Sequence, residues 1–166
     1  YAGIIGAYNG LLTYGLKSEK YKLKAAHLCE NREEMERELQ KLNLSNKKII
    51  LTGNGRVGQG ALETLRKAKI REVSKEEFVN ETFEETVFVH LNTMDYNIRI
   101  DGTAFNKFEF YNQPEFYISC FMDYAKHADI FITGHYYSEG SPYLITKEDA
   151  KKSEFNIKVV ADISCD

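Results

Sequence analysis

Residues 49–58 have the sequence IILTGNGRVG, and an amphipathic stretch follows them directly. The run of apolar and β-branched residues at 49–52 is typical of a buried strand. Glycines stand at positions 53, 55 and 58, which is the spacing G-x-G-x-x-G. A strand, a glycine-rich turn and a helix in this order predict a site for the pyrophosphate of a dinucleotide.

Each glycine of this turn has its own expected role. Gly53 permits the tight turn, Gly55 lets the backbone approach a pyrophosphate, and Gly58 lets the helix pack closely on its strand. The free N–H groups and the positive dipole end of the helix would then bind the phosphates. Arg56 is a candidate for a charge-assisted phosphate contact, the alternative being a solvated arginine at a helix start.

The chain after residue 46 alternates short apolar runs with amphipathic stretches, which is typical of βαβ units. We therefore predict an α/β fold, a Rossmann-like doubly wound parallel sheet with helices on both faces. The predicted strands are Lys48–Thr52, Val87–Leu91, Asp129–Thr133, Ile157–Ile163 and a weak fifth at Ile70–Val73. Helices are predicted at Arg56–Lys67 and at Pro114–His127, the latter with Tyr117, Cys120, Phe121 and Tyr124 on one face.

Two helices are predicted before the sheet. Tyr1–Leu16 has Gly3, Gly6 and Gly10 near one face, which indicates either a groove for another backbone or the remnant of a helix whose partner is missing. A second helix is capped by Asn31, with Glu34 in the capping-box position and Met35, Leu39 and Leu42 as one buried stripe.

The predicted domain organisation follows from this division of the chain. Residues 1–46 are expected to be linker helices and residues 47–166 a nucleotide-binding domain. Because the chain begins at Tyr1 and stops after a strand-like run, we expect a piece of a longer protein, truncated at the C-terminus of this domain. The stretch Asp95–Asn112 is long for a connection, has a hairpin signal at Asp101-Gly102, and is expected to be functional.

Composition excludes several classes of protein. The 22 basic and 25 acidic residues give a net charge of −3, so nucleic acid and anionic membrane surfaces are not expected partners. Cys29, Cys120 and Cys165 show no metal-binding spacing, so we predict no metal site, reduced thiols and a cytoplasmic protein. The apolar start of the chain is too short to span a bilayer and lacks a basic leader.

Residues that follow the strands are candidate ligand contacts, because the ligand of a doubly wound sheet lies beyond the carboxyl ends of the strands between the first and fourth. These residues are 91–93, 134–137 and 163–166. Tyr136 is expected beside the nicotinamide ribose, unless it only packs locally. His135 is a candidate general acid or base, although a lone loop histidine is commonly exposed and idle.

The acidic residue that binds the adenosine ribose in many such sites has no clean match. Glu72, Glu76 and Glu77 are the candidates, each of which could also be a solvated carboxylate. Since this neighbourhood is more acidic than basic, the sequence favours NAD over NADP.

Four segments of the chain carry a resemblance to a known family. They are Ala2–Gly10, Gly55–Ala61, Ala128–Ile132 and Val159–Asp166, in this order. With them the chain resembles the nucleotide-binding half of the alanine dehydrogenase and lysine-forming saccharopine dehydrogenase family. The last segment is the most particular to that family, whereas the glycine turn is shared by many nucleotide-binding domains.

The resemblance implies an NAD-dependent oxidoreductase that acts on an amino acid or its imine. It places Arg56 and Val57 at the pyrophosphate and Tyr136 and Ile163 along the cofactor cleft. It assigns the acid and base to an N-terminal catalytic domain outside this sequence, so these residues alone are expected to bind cofactor without turnover. A homo-oligomer is possible. The alternatives are a non-catalytic nucleotide-sensing module and a methyltransferase-like fold with another adenosine cofactor.

Overall fold

A computed structural model describes residues 1–164 of the chain. Within this range the strands are β1 to β7, at Lys48–Thr52, Arg71–Glu72, Val87–Leu91, Asn97–Arg99, Tyr117–Ser119, Ile130–Thr133 and Val159–Asp162. The α-helices are α1 to α6, at Ala2–Ser18, Arg32–Glu38, Arg56–Lys67, Lys75–Asn80, Lys107–Asn112 and Met122–Ala125. The predicted α/β class and the five predicted parallel strands are confirmed, with ends shifted by up to two residues.

The main sheet has five parallel strands in the order β2-β3-β1-β6-β7. Strand β1 lies in the middle, and its Ile50 is paired with Val89 of β3 and Phe131 of β6. The chain therefore moves from β1 to one side of the sheet for β2 and β3, and to the other side for β6 and β7. Counted along the chain, β1 and β6 are the first and fourth of the five parallel strands, and they are neighbours in the sheet as expected.

Both faces of the sheet are buried, as expected for parallel strands. Successive side chains of a strand point to opposite faces, so Ile49 and Leu51 pack under α1 and α3, whereas Ile50 packs on the other side. There it meets a second core that includes Phe78 of α4 and Phe121. Helices thus flank the sheet on both sides.

Helix α1 packs closely against α3 and β7. A Cβ atom at Gly3 would overlap the carbonyl oxygen of Val57, and one at Gly10 would lie 2.8 Å from the Cβ of Ala161. The glycine groove is confirmed, and α3 of the same chain supplies the neighbouring backbone. Buried residues of α1, such as Tyr8, belong to the same core as the sheet.

Helix α2 begins at its predicted cap. The Asn31 Oδ1 atom accepts the N–H of Glu34 at 2.9 Å, but Glu34 does not complete a capping box. Its carboxylate instead accepts the N–H of Glu30 at 2.6 Å and pairs with Lys24. The predicted stripe is confirmed, with Met35 buried in the core below α1.

The predicted helix over Pro114–His127 is wrong. Only α6 is α-helical there, preceded by a 3-10 turn and by β5, which pairs antiparallel with β4. Tyr117 packs against Phe105 and Phe110, whereas Phe121 lies in the core of the main sheet. The helical spacing was misleading because the two residues do not share a helix face. Tyr117 lies in β5, whereas Phe121 lies beyond the end of that strand and packs in a different cluster.

The segment between β3 and α6 forms a small substructure of its own, which contains β4, α5 and β5. The predicted turn is present, since Gly102 has a φ of 77° and its N–H donates to the Arg99 carbonyl at 3.0 Å. This turn does not close a hairpin of adjacent strands, because Ile98 pairs with Ile118 beyond α5.

Candidate functional site

A cleft of about 760 Å³ opens at the carboxyl ends of the sheet strands. Loops after β1, β3, β6 and β7 form its walls, and the β4–α5–β5 substructure covers one side. The lining residues are Gly53, Asn54, Gly55, Arg56, Val57, Asn92, Thr93, Met94, Phe105, Lys107, Tyr111, Gly134, His135, Tyr136, Ile163 and Ser164. Apart from Gly58, every residue predicted at the pyrophosphate or along the cofactor cleft is among them, whereas the predicted ribose ligands Glu72, Glu76 and Glu77 are not.

Gly53 makes the sharp turn out of β1. Its φ is 95°, a conformation that favours glycine. Its N–H donates to the Leu91 carbonyl at 3.2 Å, and a Cβ atom here would overlap the carbonyl oxygen of Gly134. Both the backbone conformation and the close neighbour therefore require glycine.

Gly58 lies beneath the cleft and not along it. A Cβ atom at Gly58 would overlap the carbonyl oxygen of Gly53. A Cβ atom added at Gly134 would lie 3.0 Å from the Cα atom of Gly58. The third glycine thus allows the first turn of α3 to sit on the ends of β1 and β6, which is the packing role expected of it.

Gly55 is open to the cleft. A Cβ atom here would meet nothing within 4 Å, so no close neighbour among the described residues requires glycine at this position. The N–H groups of residues 54–58 also find no hydrogen-bond partner among residues 1–164. Since α3 begins at Arg56, these groups include the free donors of a helix start, and residues 54–57 line the cleft.

The charged residues along the cleft are basic. Arg56 and Lys107 line it, and neither forms an ion pair within the described part of the chain. No aspartate or glutamate occurs among the lining residues between 1 and 164. Free backbone donors and two unpaired cations give the cleft the electrostatic character of an anion site.

His135 lies at the base of the cleft. Its Nδ1 atom is 2.8 Å from the Thr52 hydroxyl oxygen, and its ring lies edge-on to Tyr96 with 6.0 Å between centroids. Burial lowers the pKa of His135, against a smaller opposing effect of Asp162. The imidazole is therefore neutral at physiological pH and offers hydrogen bonds without positive charge.

Tyr136 and Ile163 lie on the cleft walls where the sequence predicts them. Tyr136 is 68% exposed, and its ring centroid is 6.2 Å from that of Tyr111. Ile163 lines the cleft and also supports α1, since a Cβ atom at Gly6 would approach its side chain to 2.5 Å. Of the predicted residues after β7, Cys165 and Asp166 lie outside the described residues.

Sequence reasoning missed residues that line the cleft and one residue that supports its glycine loop. Phe105, Lys107 and Tyr111 come from the segment between β3 and α6, whose length was the only signal. His90 was missed altogether, because in the sequence it is one polar residue in an apolar strand. Its Nε2 atom lies 2.7 Å from the carbonyl oxygen of Gly53, so it must donate its hydrogen to that oxygen.

The three predicted ribose ligands do not reach the cleft. Glu72 lies on the edge strand β2, where its carboxylate is 3.4 Å from Arg66. Glu77 forms a capping box with Ser74, and Glu76 lies beside it in the first turn of α4. The residues that follow β3, the actual neighbour of β1, are instead Asn92, Thr93 and Met94.

Other kinds of site are not found in residues 1–164. No group of three or more histidine, cysteine, aspartate or glutamate side chains in this range is arranged to hold a metal ion. Cys29 and Cys120 are unpaired thiols. Among the described helices, none combines the length and the apolar character that crossing a bilayer requires.

Comparison of the chain with models of protein families finds no match, and comparison with curated protein sequences finds none either. The geometry of the cleft is therefore the basis for the function proposed below, together with the sequence resemblance already described.

Proposed function

We propose that this chain is a Rossmann-like domain that binds NAD(H) in the cleft, as part of an amino-acid dehydrogenase. The observation that carries the binding proposal is the open backbone at Gly55. There an exposed row of N–H groups at the start of α3 borders a cleft that contains no described carboxylate. An anion is the ligand that such an arrangement favours.

The residues present suit a dinucleotide better than a single small anion. The cleft of about 760 Å³ lies within the range of small-molecule and cofactor sites. It runs from the glycine loop to two apolar or aromatic walls, Met94 on one side and Tyr136 and Ile163 on another. The pyrophosphate would lie against residues 54–57, with Arg56 adding a charge-assisted contact.

The dehydrogenase proposal rests on the sequence resemblance and on the chemical character of the cleft. A bound nicotinamide would accept or donate the hydride. The lining residues between 1 and 164 include one imidazole, that of the neutral His135, and no carboxylate. These residues therefore bind and orient the cofactor, and the groups that move protons from the amino acid are proposed to belong to a separate catalytic domain.

Calorimetric titration of the protein with NADH, NADPH and S-adenosylmethionine tests the proposal. We expect saturable binding of a dinucleotide with one site per chain. Binding of S-adenosylmethionine alone would support a methyltransferase-like cofactor site and overturn the proposal. An absence of binding by all three compounds would also overturn it, provided that circular dichroism shows a folded protein.

Turnover provides the second test, since a nucleotide-sensing module would bind NADH without using it. The full-length gene product is incubated with NAD and a panel of amino acids, and NADH is followed by its absorbance. We expect reduction of NAD with at least one amino acid. A full-length protein that binds NADH but reduces NAD with none of them would favour the sensing module.

A further inference from the structure

The strand order changes where the adenosine ribose of a bound dinucleotide would lie, an inference that rests on the proposed function. In dinucleotide-binding sheets, the ribose is bound at the end of the strand next to the one that carries the glycine loop. Here that neighbour of β1 is β3, because β2 lies at the sheet edge and pairs only with β3. The ribose position is thus at residues 92–94, which line the cleft.

The side chains at this position are neutral. Asn92, Thr93 and Met94 follow β3, whereas a site selective for NAD places a carboxylate there, which binds the ribose hydroxyls and repels a 2′-phosphate. The nearest carboxylate along the chain, Asp95, is already bonded within this loop and to a lysine. One of its oxygens accepts the N–H of Asn92 at 2.7 Å, and the other pairs with Lys75 at 2.6 Å.

The charges along the cleft favour an additional phosphate. Arg56 and Lys107 line it without ion pairs to other residues in the range 1–164. NADP(H) differs from NAD(H) by one phosphate on the adenosine ribose, which carries close to two negative charges at neutral pH, as other phosphate monoesters do. Because Arg56 is assigned to the pyrophosphate, Lys107 is the cation left to attract this group, in a cleft with no carboxylate among its described lining residues.

From these observations we propose that the cleft accepts the 2′-phosphate of NADP(H) and binds NADPH at least as tightly as NADH. The acidic residues Glu72, Glu76 and Glu77, which favour NAD in the sequence, contact neither cofactor because they do not line the cleft. Selectivity is determined instead by the neutral Asn92 at the end of β3 and by the charge of Lys107, which also lines the cleft.

Dissociation constants of NADH and NADPH, measured by nicotinamide fluorescence, test this proposal. We expect the constant for NADPH to be equal to or lower than that for NADH. Binding of NADH that is 10-fold or more tighter than that of NADPH would overturn the inference and leave the proposed function intact. Binding of neither dinucleotide would overturn the proposed function and this inference with it.

Two substitutions locate the effect. Asn92→Asp introduces the missing carboxylate and is expected to weaken NADPH at least 10-fold relative to NADH. Lys107→Gln is expected to weaken NADPH more than NADH. If both variants leave the ratio of the two constants unchanged while their circular dichroism is that of the parent, the 2′-phosphate does not lie at this position and the inference fails.

Asn46→Asp is the matched control. It makes the same charge change at an exposed residue two positions before β1, at the amino end of the strand and therefore opposite the cleft. The five residues of β1, at about 3.3 Å each, separate it from the cleft by more than the Debye length of about 8 Å at physiological salt. We expect it to leave the ratio unchanged, so an equal effect of both aspartates would indicate a general charge effect and count against the assigned position.

Discussion

The imidazole of His90 donates a hydrogen bond to the carbonyl oxygen of Gly53, with 2.7 Å between Nε2 and that oxygen. A side chain of β3 thereby supports the glycine loop that follows the neighbouring strand β1. The loop is further held by the Gly53 N–H, which donates to the Leu91 carbonyl at 3.2 Å. Both backbone polar groups of Gly53 are therefore hydrogen-bonded, whereas the N–H groups of residues 54–58 have no partner among residues 1–164.

Replacing His90 with alanine tests this support. A buried carbonyl that loses its donor costs about 1–3 kcal/mol, so His90→Ala should lower the free energy of unfolding by about that amount. It should also weaken NADH binding by about 5-fold or more, because the loop is less well ordered. His90→Gln retains a side-chain donor and should restore much of both properties. An alanine variant with the stability and affinity of the parent would contradict the role given to His90.

Gly55→Val tests the open backbone of the loop. The valine side chain meets no atom of the chain within 4 Å of its Cβ, so stability and circular dichroism should be close to those of the parent. NADH binding should be lost, with a dissociation constant raised at least 100-fold, because the side chain occupies the place of the pyrophosphate. Unchanged NADH affinity in a folded Gly55→Val protein would refute the assignment of the phosphate loop.

Gly58→Ala is the contrasting substitution in the same loop. Its Cβ atom would overlap the Gly53 carbonyl oxygen, and both partners are backbone, so the start of α3 must move. We expect a loss of stability of about 1–3 kcal/mol, measured by urea denaturation. A Gly58→Ala protein as stable as the parent would show that α3 does not pack on the loop as described.

Gly3→Val tests the packing of α1 on α3. The added side chain would run into the carbonyl of Val57, and overpacking of this kind costs about 1–3 kcal/mol. For a protein of this size, each kcal/mol corresponds to about 2–4 °C in the unfolding temperature. Ala2→Val is the control, because Ala2 is exposed in the same turn. Equal unfolding temperatures for the two variants would argue against a tight contact between α1 and α3.

Stability should depend on pH through His135. Burial lowers the pKa of this group in the folded state, so the unfolded chain takes up its proton first as the pH falls below about 6.5. The free energy of unfolding should therefore decrease between pH 7.5 and pH 5.5. Burial also lowers the pKa of His127, which contributes in the same direction.

His135→Gln should reduce this pH dependence. The measurement is urea denaturation at several pH values in buffers of constant ionic strength. A slope that is the same in the parent and in His135→Gln would show that His135 is not buried in the uncharged form.

Local patterns determine a large part of this molecule. The apolar runs predicted the five parallel strands, and the glycine spacing at residues 53–58 predicted the turn between β1 and α3. The cap at Asn31 was also predicted correctly. These features could be predicted because strand alternation, positive φ at glycine and capping depend on residues that are close together in the chain.

Long-range packing decided the remainder. Tyr117 and Phe121 have helical spacing, yet pairing of β5 with β4 places them in different clusters. The order of β2 and β3 places Asn92, and not Glu72, at the end of the strand next to β1, and only the folded sheet brings His90 to Gly53. Such choices depend on which distant surfaces bury each other and which backbone groups pair, and no window of neighbouring residues contains that information.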